Sequence, residues 1–208
     1  ARGAHVRARA RVLSVEPRAD RVVVRTDRDE TLEARVAVVA VGAWSAGPDA
    51  LVPAPAPLSV ERQTQLFFAT RTPTLFTPER FPIFIHFGET EAFYGLPAVG
   101  LPGVKVCRHH GGTTTTAEGL DRTFSPAAEA PVRAFVRQRL PDADGALLGA
   151  RVCMYTNTPD DHFVVGAHPT MPRVLVACGF SGHGFKLAPF VGEMLAEHVE
   201  RGGSELDG

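Results

Sequence analysis

The stretch from Val174 to Val199 leaves this chain few folds to choose from. Val174, Leu175, Val176 and Ala177 form a short apolar run of the kind needed by a strand covered on both faces. Gly179, Gly182 and Gly184 follow and admit a tight turn. Leu187, Phe190, Val191, Met194, Leu195 and Val199 then recur at helical spacing. Pro189 is compatible with that helix only in its first turn, so the helix starts at the glycines. A strand that passes through a glycine turn into a helix N-terminus can hold an anion or a cofactor, because free N–H groups converge there. The same connection also occurs with no ligand at all. The spacing is GxxGxG, not the GxGxxG of a primary pyrophosphate loop.

Upstream, residues 6–15 and 21–26 alternate apolar and polar side chains around Glu16-Pro-Arg-Ala-Asp20, and a second turn at 27–30 leads to Leu32. This predicts a small antiparallel meander. Residues 1–6 read as the end of a helix entering it. Residues 36–41 are continuously apolar, as in a buried parallel strand, and end in Gly42-Ala43-Trp44-Ser45. There the backbone either approaches a ligand or Ser45 caps a helix. Pro48, Pro53, Pro55 and Pro57 mark a crossing between subdomains.

From Leu58 the period changes to two, with Leu58, Val60, Arg62, Thr64, Leu66 and Phe68 on one face. Further strands are expected at 83–87, 92–96 and 104–108, with turns at 88–91 and 100–103, giving a mostly antiparallel sheet. Residues 111–119 read as a polar loop. Ser125-Pro126 reads as the cap and first turn of a helix through Val132, Phe135, Val136 and Leu140 that ends at 141–145. Strands at 146–158 and 162–166 precede the terminal strand and helix.

A formal charge of -1 leaves no basic excess to argue for nucleic acid, and no apolar run is long enough to span a membrane. Three cysteines, Cys107, Cys153 and Cys178, make no disulfide framework. A reducing compartment, the cytoplasm, is the expectation. Cys107-Arg-His-His110 lacks further ligands at familiar metal spacing, so no metal is expected. Of 22 basic residues only Lys105 and Lys186 are lysines. In so Arg-biased a chain, a retained lysine points to a position that needs a compact ammonium able to change protonation state.

The segment Gly179-Phe-Ser-Gly-His-Gly-Phe-Lys186 resembles the C-terminal flavin motif of the monomeric sarcosine oxidase family, FAD-dependent amine oxidases that include N-methyltryptophan oxidases. Val41-Gly-Ala-Trp44 resembles the family's second FAD-contacting segment, and Arg151-Val-Cys-Met-Tyr-Thr156 resembles the segment whose cysteine is joined to the flavin 8α-methyl. The resemblance implies an α/β and α+β chain: an incomplete FAD-binding, glutathione-reductase-like domain with an inserted, mostly antiparallel substrate domain. The FAD-binding parts are then 1–57 and 146–208, and the substrate domain is 58–145.

The same resemblance implies roles. Gly42, Ala43, Trp44, Gly179, Gly182, His183, Gly184, Phe185 and Lys186 contact FAD, and Cys153 attaches it covalently. On residue type alone, Cys153 also reads as a buried strand cysteine; Cys107 and Cys178 read as packing residues. Lys186 holds the substrate carboxylate. Lys105 promotes reaction with oxygen, and its neighbours Val104 and Val106 point to the opposite face of the strand. His109 and Tyr94 lie near the substrate, and Leu96 stands where the family often carries an aromatic, which alters the pocket. The implied partners are a small amine or amino acid and molecular oxygen, with neither nucleic acid nor membrane.

The implied reaction is FAD-dependent oxidation of a secondary or N-methyl amino acid, with peroxide formed on reoxidation. Two alternatives are a dehydrogenase or demethylase with another electron acceptor and a non-catalytic fragment. No GxGxxG loop occurs in the sequence, so the resemblance covers about the C-terminal half of the family's length. The residues the family takes from its N-terminal half, including an arginine for the carboxylate, have no counterpart here. The expectation for residues 1–208 expressed alone is an aggregation-prone product without flavin.

Overall fold

A computed structural model of the protein describes residues 3–100 and 103–206. The chain forms two compact units, Ala1–Ser59 with Thr156–Gly208, and Val60–Tyr155. The resemblance implies a second crossing at residue 146; the units change over ten residues later, because the strand that begins at Leu147 stays with the antiparallel sheet.

The first unit opens with the meander β1 (Val12–Pro17), β2 (Val22–Thr26) and β3 (Thr31–Ala34), paired antiparallel in that order. No helix precedes it among the described residues: Gly3 to Arg11 are irregular, and Ala1 and Arg2 lie outside the described residues. The pattern's alternation began at Val6, but Val6 is 92% exposed and has no apolar surface to pack on. β4 (Ala37–Val39) follows and ends in a 3-10 turn, Gly42–Ser45. No helix is capped by Ser45.

The second unit holds β5 (Ser59–Phe68), β6 (Phe84–Phe87), β7 (Ala92–Leu96), β8 (Val104–His109), β9 (Thr113–Thr115), helix α1 (Glu129–Arg139) and β10 (Leu147–Asn157). The sheet order is β10-β5-β8-β7-β6, and β9 pairs with the first half of β5. The expected polar loop at 111–119 is therefore part strand. Its threonines suit an edge, and Val60 to Arg62 extend beyond β8 and need a partner for their N–H and C=O groups. Leu101 and Pro102, in the turn expected at 100–103, lie outside the described residues.

One face of this sheet makes the core. Leu66, Phe68, Phe93, Val104 and Val106 pack with Val132, Phe135 and Val136 of α1. The Phe93 and Phe135 rings stack with centroids 4.4 Å apart. Arg133 binds Glu129 at 2.6 Å and Asp144 at 2.8 Å, tying α1 to the turn that ends it. A 3-10 turn at Pro126–Ala128 starts the helix, and the Ser125 side chain makes no capping bond.

The first unit resumes with β11 (Val164–Ala167), β12 (Val174–Cys178) and α2 (Ala188–Arg201). β12 lies between β11, antiparallel to it, and β4, parallel to it. Every residue of β12 is buried, the outcome its unbroken apolar run requires. Val22, Val39, Val52, Val174 and Val176 form one cluster, and Leu175 and Ala177 pack against Val191 and Leu195 of α2. Pro189 lies in the first turn of α2, and Gly202 closes the helix at φ 82°.

Candidate functional site

The face of the second unit's sheet turned away from α1 collects the polar residues. Strand alternation sends Lys105, Cys107 and His109 to it while Val104 and Val106 enter the core. Register sets Leu96 opposite Lys105, Tyr94 opposite Cys107 and Ala92 opposite His109. Phe67 of β5 faces Lys105 from the other side, so Gln65, Gln63 and Glu61 follow it on the same face. β10 adds Arg151, Cys153 and Tyr155.

The contacts agree with this register. Lys105 Nζ is 5.2 Å from the centroid of the Tyr94 ring. Gln65 Nε2 is 3.6 Å from Cys153 Sγ. Tyr155 OH is 3.4 Å from His109 Nδ1, and the His109 and His110 rings are 4.2 Å apart. The Arg151 guanidinium lies 5.9 Å from the Phe67 ring. Lys105, Tyr94, Leu96, His109 and Cys153 thus share one face. Tyr155, Gln65, Gln63, Glu61 and His110 belong with them and were missed from sequence. Tyr155 had a signal, two residues beyond Cys153 on the same strand; the other four had none outside the strand pairing.

Burial shapes the chemistry of this face. It pushes the Tyr94 hydroxyl far up, with further contributions from Cys107 and Tyr155, so Tyr94 is a neutral hydrogen-bond donor. Burial also pushes Tyr155 up to about 12, against the opposing effect of its hydrogen bond with Tyr94. The Cys153 thiol is pushed up by burial and drawn back by Lys105, Gln65 and Arg122. Cys107, fully buried, is raised by burial. Gln63 is 5% exposed, and its Nε2 has no hydrogen-bond partner among the described residues. An unmet buried donor costs about 1–3 kcal/mol, and a polar ligand on this face would remove that cost.

The other expected residues belong to the first unit. Gly42–Ser45 and the turn after Cys178 both leave from the C-terminal ends of the parallel neighbours β4 and β12. Open α/β sheets bind ligands outside this edge. Gly42 has φ +57° and open space where a Cβ would lie, so backbone is accessible there. Ala43 is buried and Trp44 is 48% exposed. In the second turn Ser181 is fully buried at φ 46°, and its N–H donates to Thr156 O at 2.9 Å. Gly179, at φ +66°, has no room for a side chain: a Cβ would lie 2.6 Å from Thr158 Cγ2. The His183 ring lies tilted against Phe163, centroids 4.8 Å apart, while Gly182 and Phe185 are exposed. Lys186 Nζ donates to His183 O at 3.3 Å and is exposed. Phe185 and Lys186 sit in a 3-10 turn, Phe185–Leu187, so α2 begins at Ala188, not at the glycines as the spacing predicts.

No group of three His, Cys, Asp or Glu among the described residues is placed to hold a metal ion. No helix among them is long and apolar enough to cross a membrane.

A family model described as FAD dependent oxidoreductase matches residues 1–198. The monomeric sarcosine oxidase of Streptomyces avermitilis is 40% identical over 187 residues, which are 88% of this chain and 48% of that protein. The monomeric sarcosine oxidase of a Bacillus species is 36% identical over 209 residues, 100% of this chain and 54% of that protein. The solved L-proline dehydrogenase of P. horikoshii superposes with a TM-score of 0.80 at 22% identity, over 99% of this chain and 53% of that one. That likeness shows a shared fold, a partial FAD-type fold in this chain. The chain spans about half the length of the curated relatives it matches.

Proposed function

The chain belongs to the FAD dependent oxidoreductase family, and from that premise we propose that it carries the substrate face of an oxidase acting on secondary or N-methyl amino acids. The observation that carries the reading is the grouping of Lys105, Tyr94, His109, Tyr155 and Cys153 on one sheet face, beside relatives named for sarcosine oxidation. The residues fit the cofactor. Gln63 leaves a buried donor unmet on that face, and the Gly42 backbone is open at the edge where parallel strands end.

FAD, if bound, would supply a two-electron acceptor for hydride from the carbon beside the substrate nitrogen. Gly42, Ala43 and Trp44 and the turn from Gly179 to Phe185 are the proposed segments for holding it, and Cys153 is the proposed point of covalent attachment. Lys186 binds the substrate carboxylate as a compact, charge-assisted donor. Tyr94 and His109 orient the amine, and Leu96 bounds the pocket. Lys105 supplies positive charge where oxygen gains electrons on its way to hydrogen peroxide. The free cysteines suit a reducing compartment, and the cytoplasm is the proposed location.

The test is oxygen uptake and peroxide formation by the FAD-loaded protein with sarcosine, N-methyl-L-tryptophan and their primary-amine counterparts. Turnover confined to the secondary amines supports the reading. Anaerobic bleaching near 450 nm without oxygen uptake would make the protein a dehydrogenase, and no bleaching with any amine would refute amine oxidation.

A further inference from the structure

Glu61 and His110 stand at the end of the site face and have no part in the reaction as described above. His110 Nδ1 is 3.4 Å from Glu61 Oε2, and the other carboxylate oxygen accepts the Gly112 N–H. His110 adopts φ 60°, a conformation that few residues other than glycine take up. Its ring forms a triangle with those of His109, 4.2 Å away, and Tyr155, 5.4 Å away, which are themselves 5.7 Å apart. Side-chain exposure is 29% for His110 and 13% for Glu61, so the imidazole is the member of the pair that reaches solvent.

The chemistry of amine oxidation needs such a pair. An amino acid reaches the site at neutral pH as an ammonium, and hydride leaves its carbon only once a lone pair is free on nitrogen. One N–H bond must break first, with its electron pair staying on nitrogen and its proton going to a base. His109 is the ring on this face suited to take it. A proton retained on His109 would then oppose the positive charge of the product iminium.

We propose that Glu61 and His110 form the proton outlet of the site: His110, held and charge-balanced by Glu61, passes to solvent the proton that His109 takes from the substrate ammonium. The inference rests on the amine-oxidation reading. Among the described residues, Glu61 on β5, Tyr155 on β10 and His109 on β8 meet the His110 ring, and Arg108 is the nearest cation along the chain. Arg108 pairs with Glu91 at 3.1 Å, and Tyr94 contacts His109 and Tyr155. Glu61 is therefore the carboxylate that balances an imidazolium at His110.

The experiment is anaerobic stopped flow on the FAD-loaded enzyme, with flavin bleaching and a pH indicator in weak buffer followed together. Wild type, Glu61→Gln and His110→Asn are compared from pH 6 to 10; asparagine tolerates the left-handed backbone. Both variants should release the proton roughly tenfold more slowly below pH 8. They should approach wild type at high pH, where the amine arrives deprotonated, and added imidazole should restore the His110→Asn rate. A loss equal at every pH, or no loss at all, overturns the outlet. Bleaching by amines with unchanged variant profiles leaves the oxidase reading intact and refutes only the outlet. A wild type that no amine bleaches refutes both.

Discussion

The hydroxyl of Tyr155 lies 3.4 Å from Nδ1 of His109, although the two strands that carry them are not neighbours. β5 runs between them, and the side chains meet above it on the sheet face that carries Gln63 and Gln65. Each side chain thereby fixes the other, and burial keeps the phenol neutral over the working pH range.

The first prediction follows from that neutrality. The Tyr155 pKa is raised by burial to about 12, above the 10 of an unburied phenol. The native state therefore holds the proton more tightly than the unfolded chain does. Its contribution is present below pH 10 and is lost as pH rises from 10 through 12. Urea melts of wild type should lose about 1 kcal/mol at pH 11 through this group, and Tyr155→Phe should lack that part of the alkaline decline. Identical alkaline declines in the two proteins would show that Tyr155 is not the group responsible.

A second prediction concerns Cys153. Burial raises its thiol, while Lys105, Gln65 and Arg122 favour the thiolate that attachment requires. On a denaturing gel under ultraviolet light the flavin-loaded protein should give a fluorescent band that Cys153→Ala abolishes. A dark wild-type band would exclude the covalent link.

Lys105 should act on oxygen and not on the amine. Its ammonium lies 5.2 Å from the Tyr94 ring centroid and enlarges the positive field of this face. Lys105→Met should slow reoxidation by oxygen at least about tenfold, since the charge it stabilises develops only in that step. Anaerobic reduction should stay within about twofold of wild type. Stopped flow separates the two half-reactions, and normal reoxidation in the variant would remove the role.

Lys186 is exposed, and among the described residues its Nζ donates to a backbone carbonyl, His183 O, at 3.3 Å. Lys186→Ala should weaken amino-acid substrates at least about tenfold, the equivalent of a charge-assisted hydrogen bond of roughly 1.5–3 kcal/mol. An amine without a carboxylate should lose much less. KM values for the pair decide, and equal losses would place the carboxylate elsewhere.

Much of this was legible in the residues. The unbroken apolar run at Val174–Cys178 required burial on both faces, and β12 has it. Alternation around Lys105 separated Val104 and Val106 from the polar face, and β7 spans Ala92–Leu96 as its spacing predicts. The position of Pro189 fixed the first turn of α2. Where local pattern misled, the tertiary context differed from what spacing assumes. Thr113–Thr115 has loop composition but pairs with the overhanging half of β5, and alternation at residues 6–11 meets no surface to cover.

Spacing within a strand determines which side chains share a face; only the sheet order decides which strands' faces adjoin. Cys153 and Tyr155 shared a face by alternation, as Lys105 and His109 did. The order β10-β5-β8 brought the two pairs together over β5 and set Glu61 against His110, 49 residues away in sequence. Such pairing depends on loop closure and on burial of the opposite face against α1, and neither leaves a periodic trace in the local sequence.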